Sequence, residues 1–233
     1  AIWDEEFLQF FADKMSSFPQ PFSAGIFTAS SHHPYVIPDR YKGVFPDGTL
    51  EIHKCIRYSD NALRLFFEKA SKESWFENTL FVLTADHTNQ TEHPEYWTDY
   101  GRYAVPIIFY TPDGDLKGYR DAIAQQIDIM PTVLSYLGYD KPYVSFGCDL
   151  LNTPAEDTYA VNYINGIYQF FKGDYLLQFD GRNAVAMYAF KTDKLLEHNL
   201  LGQIDVQQSM EDELKAIIQQ YMIRMNNDEL VVK

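Results

Sequence analysis

Apolar positions Phe7, Leu8, Phe10, Phe11 and Met15 recur at helical spacing, which predicts an amphipathic helix over residues 4 to 17 that stops ahead of Pro19. Phe22 to Thr28 is short, apolar and bounded by Pro21 and a polar run, the pattern of a buried strand opening into a loop. Prolines and Asp47-Gly48 then mark residues 34 to 48 as an irregular excursion longer than most connections. A second helix is predicted over 50 to 70, with Ile56, Leu63, Phe66 and Phe67 on its apolar side. Thr79 to Thr84 and Ala104 to Tyr110 are nearly continuous apolar or β-branched runs, as in strands covered on both faces, and Pro106 suits an early or edge position. Asp128 stands where it could cap a helix with Pro131 in its first turn and Gly138 as its stop.

Beyond residue 155 the texture changes. Four short strand-like pieces, 159 to 164, 168 to 171, 175 to 179 and 185 to 190, are separated by Asn165-Gly166, Gly173-Asp174 and Gly181-Arg182-Asn183, which predicts an antiparallel meander. A last helix follows from about Val206 to Met225. The expectation is an α/β layer over residues 1–155 and a small antiparallel sheet with a helix over 156–233, packed together in one structural domain.

Composition narrows the function. With 33 acidic and 19 basic residues the chain carries a formal charge of −14, so a nucleic acid or an anionic lipid surface would be repelled at long range. An anionic ligand would need local cationic or hydrogen-bonding partners. A 46% hydrophobic, 16% aromatic sequence folds, and no run approaches the roughly 18 to 20 apolar residues of a membrane span. The N-terminal residues lack the basic start of a signal peptide and carry Asp4, Glu5 and Glu6 together. Cys55 and Cys148 have no zinc-type or redox spacing and read as packed thiols. P-loop, GxGxxG and GxSxG motifs are absent.

The sharpest local chemistry is Thr84-Ala85-Asp86-His87, where an apolar strand ends in a carboxylate beside an imidazole. Open α/β sheets bind ligands at the carboxyl ends of their strands. One hard oxygen and one borderline nitrogen suit zinc or manganese better than calcium, although a pair alone also fits a turn cap beside a surface histidine. Ser30-Ser31-His32-His33-Pro34-Tyr35 follows another apolar run, and His93 lies six residues after His87; each is by itself compatible with a plain polar loop. Should the three loops rim one crevice, their imidazoles would offer the local partners that an anion needs.

Taken in order, these segments carry a resemblance over most of the chain: Phe27 to Tyr35, Tyr58 to Leu63, Asn78 to His87, Val105 to Tyr110, Gln126 to Leu134 and Ser145 to Leu151. The sequence resembles the C-terminal portion of the sulfatase-like enzymes of the alkaline phosphatase superfamily, in particular the bacterial lipoteichoic acid synthase and phosphoglycerol transferase branch. The resemblance implies an alkaline-phosphatase-like α/β sheet layered with helices. It implies Asp86 and His87 as two ligands of one divalent ion, commonly manganese in this branch, with zinc, magnesium or calcium as alternatives. His32, with Ser31 where the family often has Asn, and His93 are implied as substrate contacts, and Cys148 departs from the residue often found before Asp149. The family nucleophile, a threonine in this branch or a formylglycine formed from Cys or Ser in true sulfatases, lies upstream, and residues 1 to 20 hold neither context. The chain is thus expected to be a piece of a membrane-anchored enzyme of the bacterial envelope, facing outward, with no catalytic nucleophile of its own and no turnover alone. The implied substrate is a phosphodiester, transferred or hydrolysed. A true sulfatase and a non-catalytic extracytoplasmic binding module on the same scaffold are the alternatives.

Overall fold

The computed structural model describes residues 2–232. Among them the helices and strands run in the order α1 (Asp4–Met15), α2 (Ile52–Ala70), β1 (Phe81–Thr84), β2 (Ile107–Tyr110), α3 (Ile129–Tyr136), β3 (Tyr159–Ile164), β4 (Ile167–Lys172), β5 (Tyr175–Phe179), β6 (Ala184–Tyr188) and α4 (Gln207–Asn226). This is the α/β class, and the C-terminal antiparallel sheet and helix are present. The chain gathers into two compact units: the residues through His93 with Ile108–Lys117, and Pro94–Ile107 with the residues from Gly118 onward.

In the first unit Leu8, Ala12 and Met15 of α1 and Ala62, Phe66 and Ala70 of α2 are buried in one cluster with Trp75 and Phe76. Their spacing of three or four residues puts each set on one helix face, and the alanines let the two helices approach closely. Ile56, expected on the apolar side of α2, is instead 49% exposed; Phe66 is buried as expected, and Ile52, Cys55, Tyr58, Ala62 and Ala70 complete the buried stripe. β1 pairs with β2, and Phe81 of β1 packs its ring against Phe66, Phe67, Trp75 and Phe76, which fixes the strand against the helix layer.

The strand expected at Phe22 to Thr28 does not form. Phe22 and Ile26 do pack against the α1–α2 cluster, but Phe27 is 72% exposed and the segment has no ladder. Apolarity drew these side chains inward without supplying the backbone partner that makes a strand.

In the second unit β3, β4, β5 and β6 form an antiparallel sheet in that order, with registers such as Phe170↔Leu177 and Leu177↔Met187. Asn165 and Gly166 both take positive φ, 53° and 86°, as the two-residue turn between β3 and β4 requires. One sheet face buries Phe170, Leu177, Phe179 and Met187 against Met210 and Leu214 of α4. The outer edge of β3 is met by a side chain: the Gln125 amide donates to the Tyr159 carbonyl at 3.2 Å and its oxygen accepts the Val161 N–H at 3.1 Å. At the opposite edge the Met187 N–H reaches Asn199 Oδ1 at 3.1 Å and its carbonyl accepts the Leu200 N–H at 2.7 Å.

Asp128 does sit at the start of α3, but its side chain makes no cap there. The fully buried carboxylate turns back to accept the N–H groups of Gln125 and Cys148, each at 2.8 Å. Burial pushes its pKa up, against the pull of those two donors. Thr132, one turn on, donates to the Asp128 carbonyl at 2.6 Å and accepts the Leu150 N–H at 2.9 Å, so the 145–151 segment is knotted to the start of α3.

Candidate functional site

All four candidate side chains belong to the first unit. β1 delivers Asp86 and His87: once Phe81 is locked into the aromatic cluster, the chain leaves the strand at exposed Thr84 and the next residues lie at the surface. The two side chains face each other, with His87 Nε2 at 3.6 Å from Asp86 Oδ2 and side-chain exposures of 46% and 57%. Asp86 Oδ1 accepts the His87 N–H at 2.8 Å, which holds the carboxylate beside the imidazole.

The tautomer follows from the other ring nitrogen. His87 Nδ1 lies 3.1 Å from the Thr88 carbonyl, and a carbonyl only accepts, so Nδ1 carries the hydrogen and the lone pair of the neutral ring sits on Nε2. A backbone carbonyl on the distal nitrogen is the usual way a metal-ligating histidine is oriented. Two donors each about 2.0–2.2 Å from a shared ion stand roughly 3.0–3.4 Å apart at ordinary ligand angles, slightly inside the separation seen here. The pair thus has the donor chemistry for two positions of a divalent site, at a spacing a little wider than a shared ion would set. Among the described residues no group of three or more His, Cys, Asp and Glu side chains is arranged to hold an ion.

His32 is exposed at the tip of a turn in which its N–H donates to the Ala29 carbonyl at 3.2 Å and its carbonyl accepts the Tyr35 N–H at 3.1 Å. Its Nδ1 lies 3.1 Å from the His33 carbonyl, so Nδ1 carries a hydrogen and Nε2 is the ring nitrogen left to meet a ligand. Buried Tyr35 packs with Ile52 and Cys55 of α2 and tethers the far end of the turn. His93 is also exposed, and its N–H donates to Thr91 Oγ1 at 3.0 Å. Its loop is tied to the start of α2 by Gln90, whose Oε1 accepts the Ile52 N–H at 3.3 Å. The structure thus brings Asp86 and His87 directly together, and sets His32 and His93 on separate loops, each anchored to α2. An open depression of 560 Å³ between Ala189 and Leu200, in the second unit, includes none of the four.

Sequence reasoning passed over Asp4, whose buried carboxylate holds the base of the His32 turn. Its only local signal was its place in an acidic helix start, which macrodipole chemistry explains without any distant partner.

Comparison with known proteins bears on the fold and the family. Lipoteichoic acid synthase 1 of Bacillus subtilis is 28% identical over 175 residues, which are 67% of this chain and 27% of that protein. The chain therefore spans about a quarter of the length of the curated relatives it matches. A Vibrio parahaemolyticus protein of the alkaline phosphatase superfamily superposes with a TM-score of 0.81 at 24% identity, over 100% of this chain and 57% of its own. The lipoteichoic acid synthase LtaP from Listeria monocytogenes gives a TM-score of 0.74 at 21% identity, over 97% and 60%. These two likenesses show an alkaline-phosphatase-like fold. The sequence model of the Sulfatase family matches residues 1–139, and the chain belongs to that family.

Proposed function

We propose that the protein containing this chain is a metal-dependent phosphoglycerol or phosphodiester transferase or hydrolase. It would act on an anionic glycerophosphate or lipid headgroup at the outer face of a bacterial membrane. The carrying observation is the mutual placement of Asp86 Oδ2 and His87 Nε2 at the open end of β1. The lipoteichoic acid synthases among its relatives support the substrate class.

In this reading Asp86 and His87 give one oxygen and one nitrogen to a single divalent ion, with manganese favoured and zinc, magnesium or calcium as alternatives. When bound, such an ion supplies Lewis acidity toward a phosphoryl oxygen and lowers the pKa of a hydroxyl nucleophile. Thr88 keeps the imidazole in its ligating tautomer, and Asp86 is steadied by the His87 amide. His32 and His93 meet the non-bridging oxygens, a task worth roughly 2.7 to 4 kcal/mol for one well-placed donor. His32 does so from Nε2, which must carry a hydrogen as Nδ1 does when the ring meets the anion, since Nδ1 is committed to the His33 carbonyl.

The test is manganese binding followed by electron paramagnetic resonance in the complete protein. Stoichiometric binding is expected for the unaltered protein and its loss for Asp86→Ala and His87→Ala; retention by either variant defeats the ligand assignment. The 233-residue chain alone is expected to bind manganese weakly and to turn nothing over, because half a ligand set leaves an ion largely hydrated. The Sulfatase family match favours a second reading, a sulfuric ester hydrolase. A cysteine or serine in formylglycine context upstream would select it, and a threonine would select the phosphodiester chemistry.

A further inference from the structure

The Asp4 carboxylate is 1% exposed and ties α1 to two other segments of the first unit. Oδ1 accepts the N–H groups of Ala29 and Ser30, each at 3.0 Å, and Oδ2 accepts the Ser59 hydroxyl of α2 at 2.7 Å. The Asp4 amide in turn donates to Ser30 Oγ at 3.0 Å, so helix and loop are joined reciprocally. A buried acidic group survives where hydrogen bonds replace its water, and three donors at the positive end of a twelve-residue helix meet that need.

The arrangement acts on His32 through one residue. Ala29 gives its N–H to Asp4 and its carbonyl to the His32 N–H, at 3.0 and 3.2 Å. Ser30 is 7% exposed whereas His32 is exposed, so the turn has a fixed buried base and a presented tip. With no strand through residues 22–29, no ladder fixes this segment, and the Asp4 bonds take that place.

We propose that Asp4 is a positioning residue for His32: its carboxylate fixes the 29–32 turn so that the imidazole meets a phosphoryl oxygen of the substrate. This rests on the reading of His32 as a phosphate contact, and it adds a residue remote from the ligand on which that contact depends. A geometric role distinguishes two substitutions. Asparagine can still accept from Ala29 and Ser30 through its oxygen while its NH₂ donates to Ser59 Oγ, whereas alanine loses all three bonds.

The experiment titrates the 233-residue chain with glycerol phosphate and follows the His32 ring resonance by NMR, together with amide hydrogen exchange. In the unaltered chain the resonance is expected to shift on titration, and the Ala29 and Ser30 amides to exchange slowly. Asp4→Ala should weaken the glycerol phosphate affinity about tenfold, and Asp4→Asn should restore it to within about twofold. A normal shift that Asp4→Ala leaves unchanged overturns the positioning role alone. No shift in the unaltered chain overturns the phosphate reading and the proposal with it. Fast exchange at Ala29 and Ser30 in the unaltered chain also overturns the proposal, whether or not the alanine variant folds.

Discussion

Gly147 packs directly on the Ile127 peptide: a Cβ there would lie 2.6 Å from the Ile127 carbonyl carbon and 2.8 Å from the Asp128 nitrogen. The obstruction is backbone on both counts, so no side-chain rotation relieves it. Gly147→Ala is expected to destabilise the second unit by roughly 1–3 kcal/mol, as overpacking does. Urea denaturation read by tryptophan-independent far-UV circular dichroism checks it, and an unchanged midpoint contradicts the close approach.

The carboxylate beside that glycine serves two donors at once, Gln125 and Cys148. Asp128→Asn keeps one acceptor and turns an NH₂ toward the other N–H. The loss should be roughly 1–3 kcal/mol at pH 7, the cost of leaving a buried donor unmet. A neutral outcome in the same denaturation assay would mean that water or relaxation serves the second amide.

Acid should loosen the 39–41 turn from α1. Arg40 lies 2.6 Å from Glu6, and its guanidinium holds the Glu6 carboxyl below the ordinary value of 4.5. A lowered folded-state value means that the pair stabilises above about pH 4.5 and that this contribution is lost as pH falls through the lowered pKa. Both side chains are nearly half exposed, so solvent screening limits the effect to under about 1 kcal/mol. Glu6→Gln should be slightly less stable than the unaltered chain at pH 7 and indistinguishable at pH 3; a gap of equal size at both pH values rejects the ion pair as its source.

α4 docks on the meander through Leu214, which is fully buried with Phe170, Leu177 and Met187. Leu214→Ala should cost roughly 2–5 kcal/mol. Hydrogen exchange is the selective readout: β4 and β5 amides should lose protection more than those of α2, and uniform loss would show that the two units unfold together.

The meander was legible because its signals are local. Asn165-Gly166 dictates the turn, and the β3 and β5 limits at 159 to 164 and 175 to 179 are those read from the sequence. Phe22 to Thr28 misled because an apolar run reports burial, whereas a strand needs a neighbour that the run does not encode. At the site, Asp86 and His87 could be singled out because adjacency and the end of an apolar strand put both in view at once. Asp4 could not, since its partners lie 25, 26 and 55 residues away and each is an ordinary alanine or serine.

The side chains of Gln125 and Asn199 stand at opposite margins of the meander, where each satisfies backbone groups that would otherwise face outward. An open margin is a template on which a second molecule can add its own backbone and begin a fibril. Plugging both with amides leaves no such template at those positions, so crowding would bring neighbouring copies side by side without stitching them into a continuous ribbon.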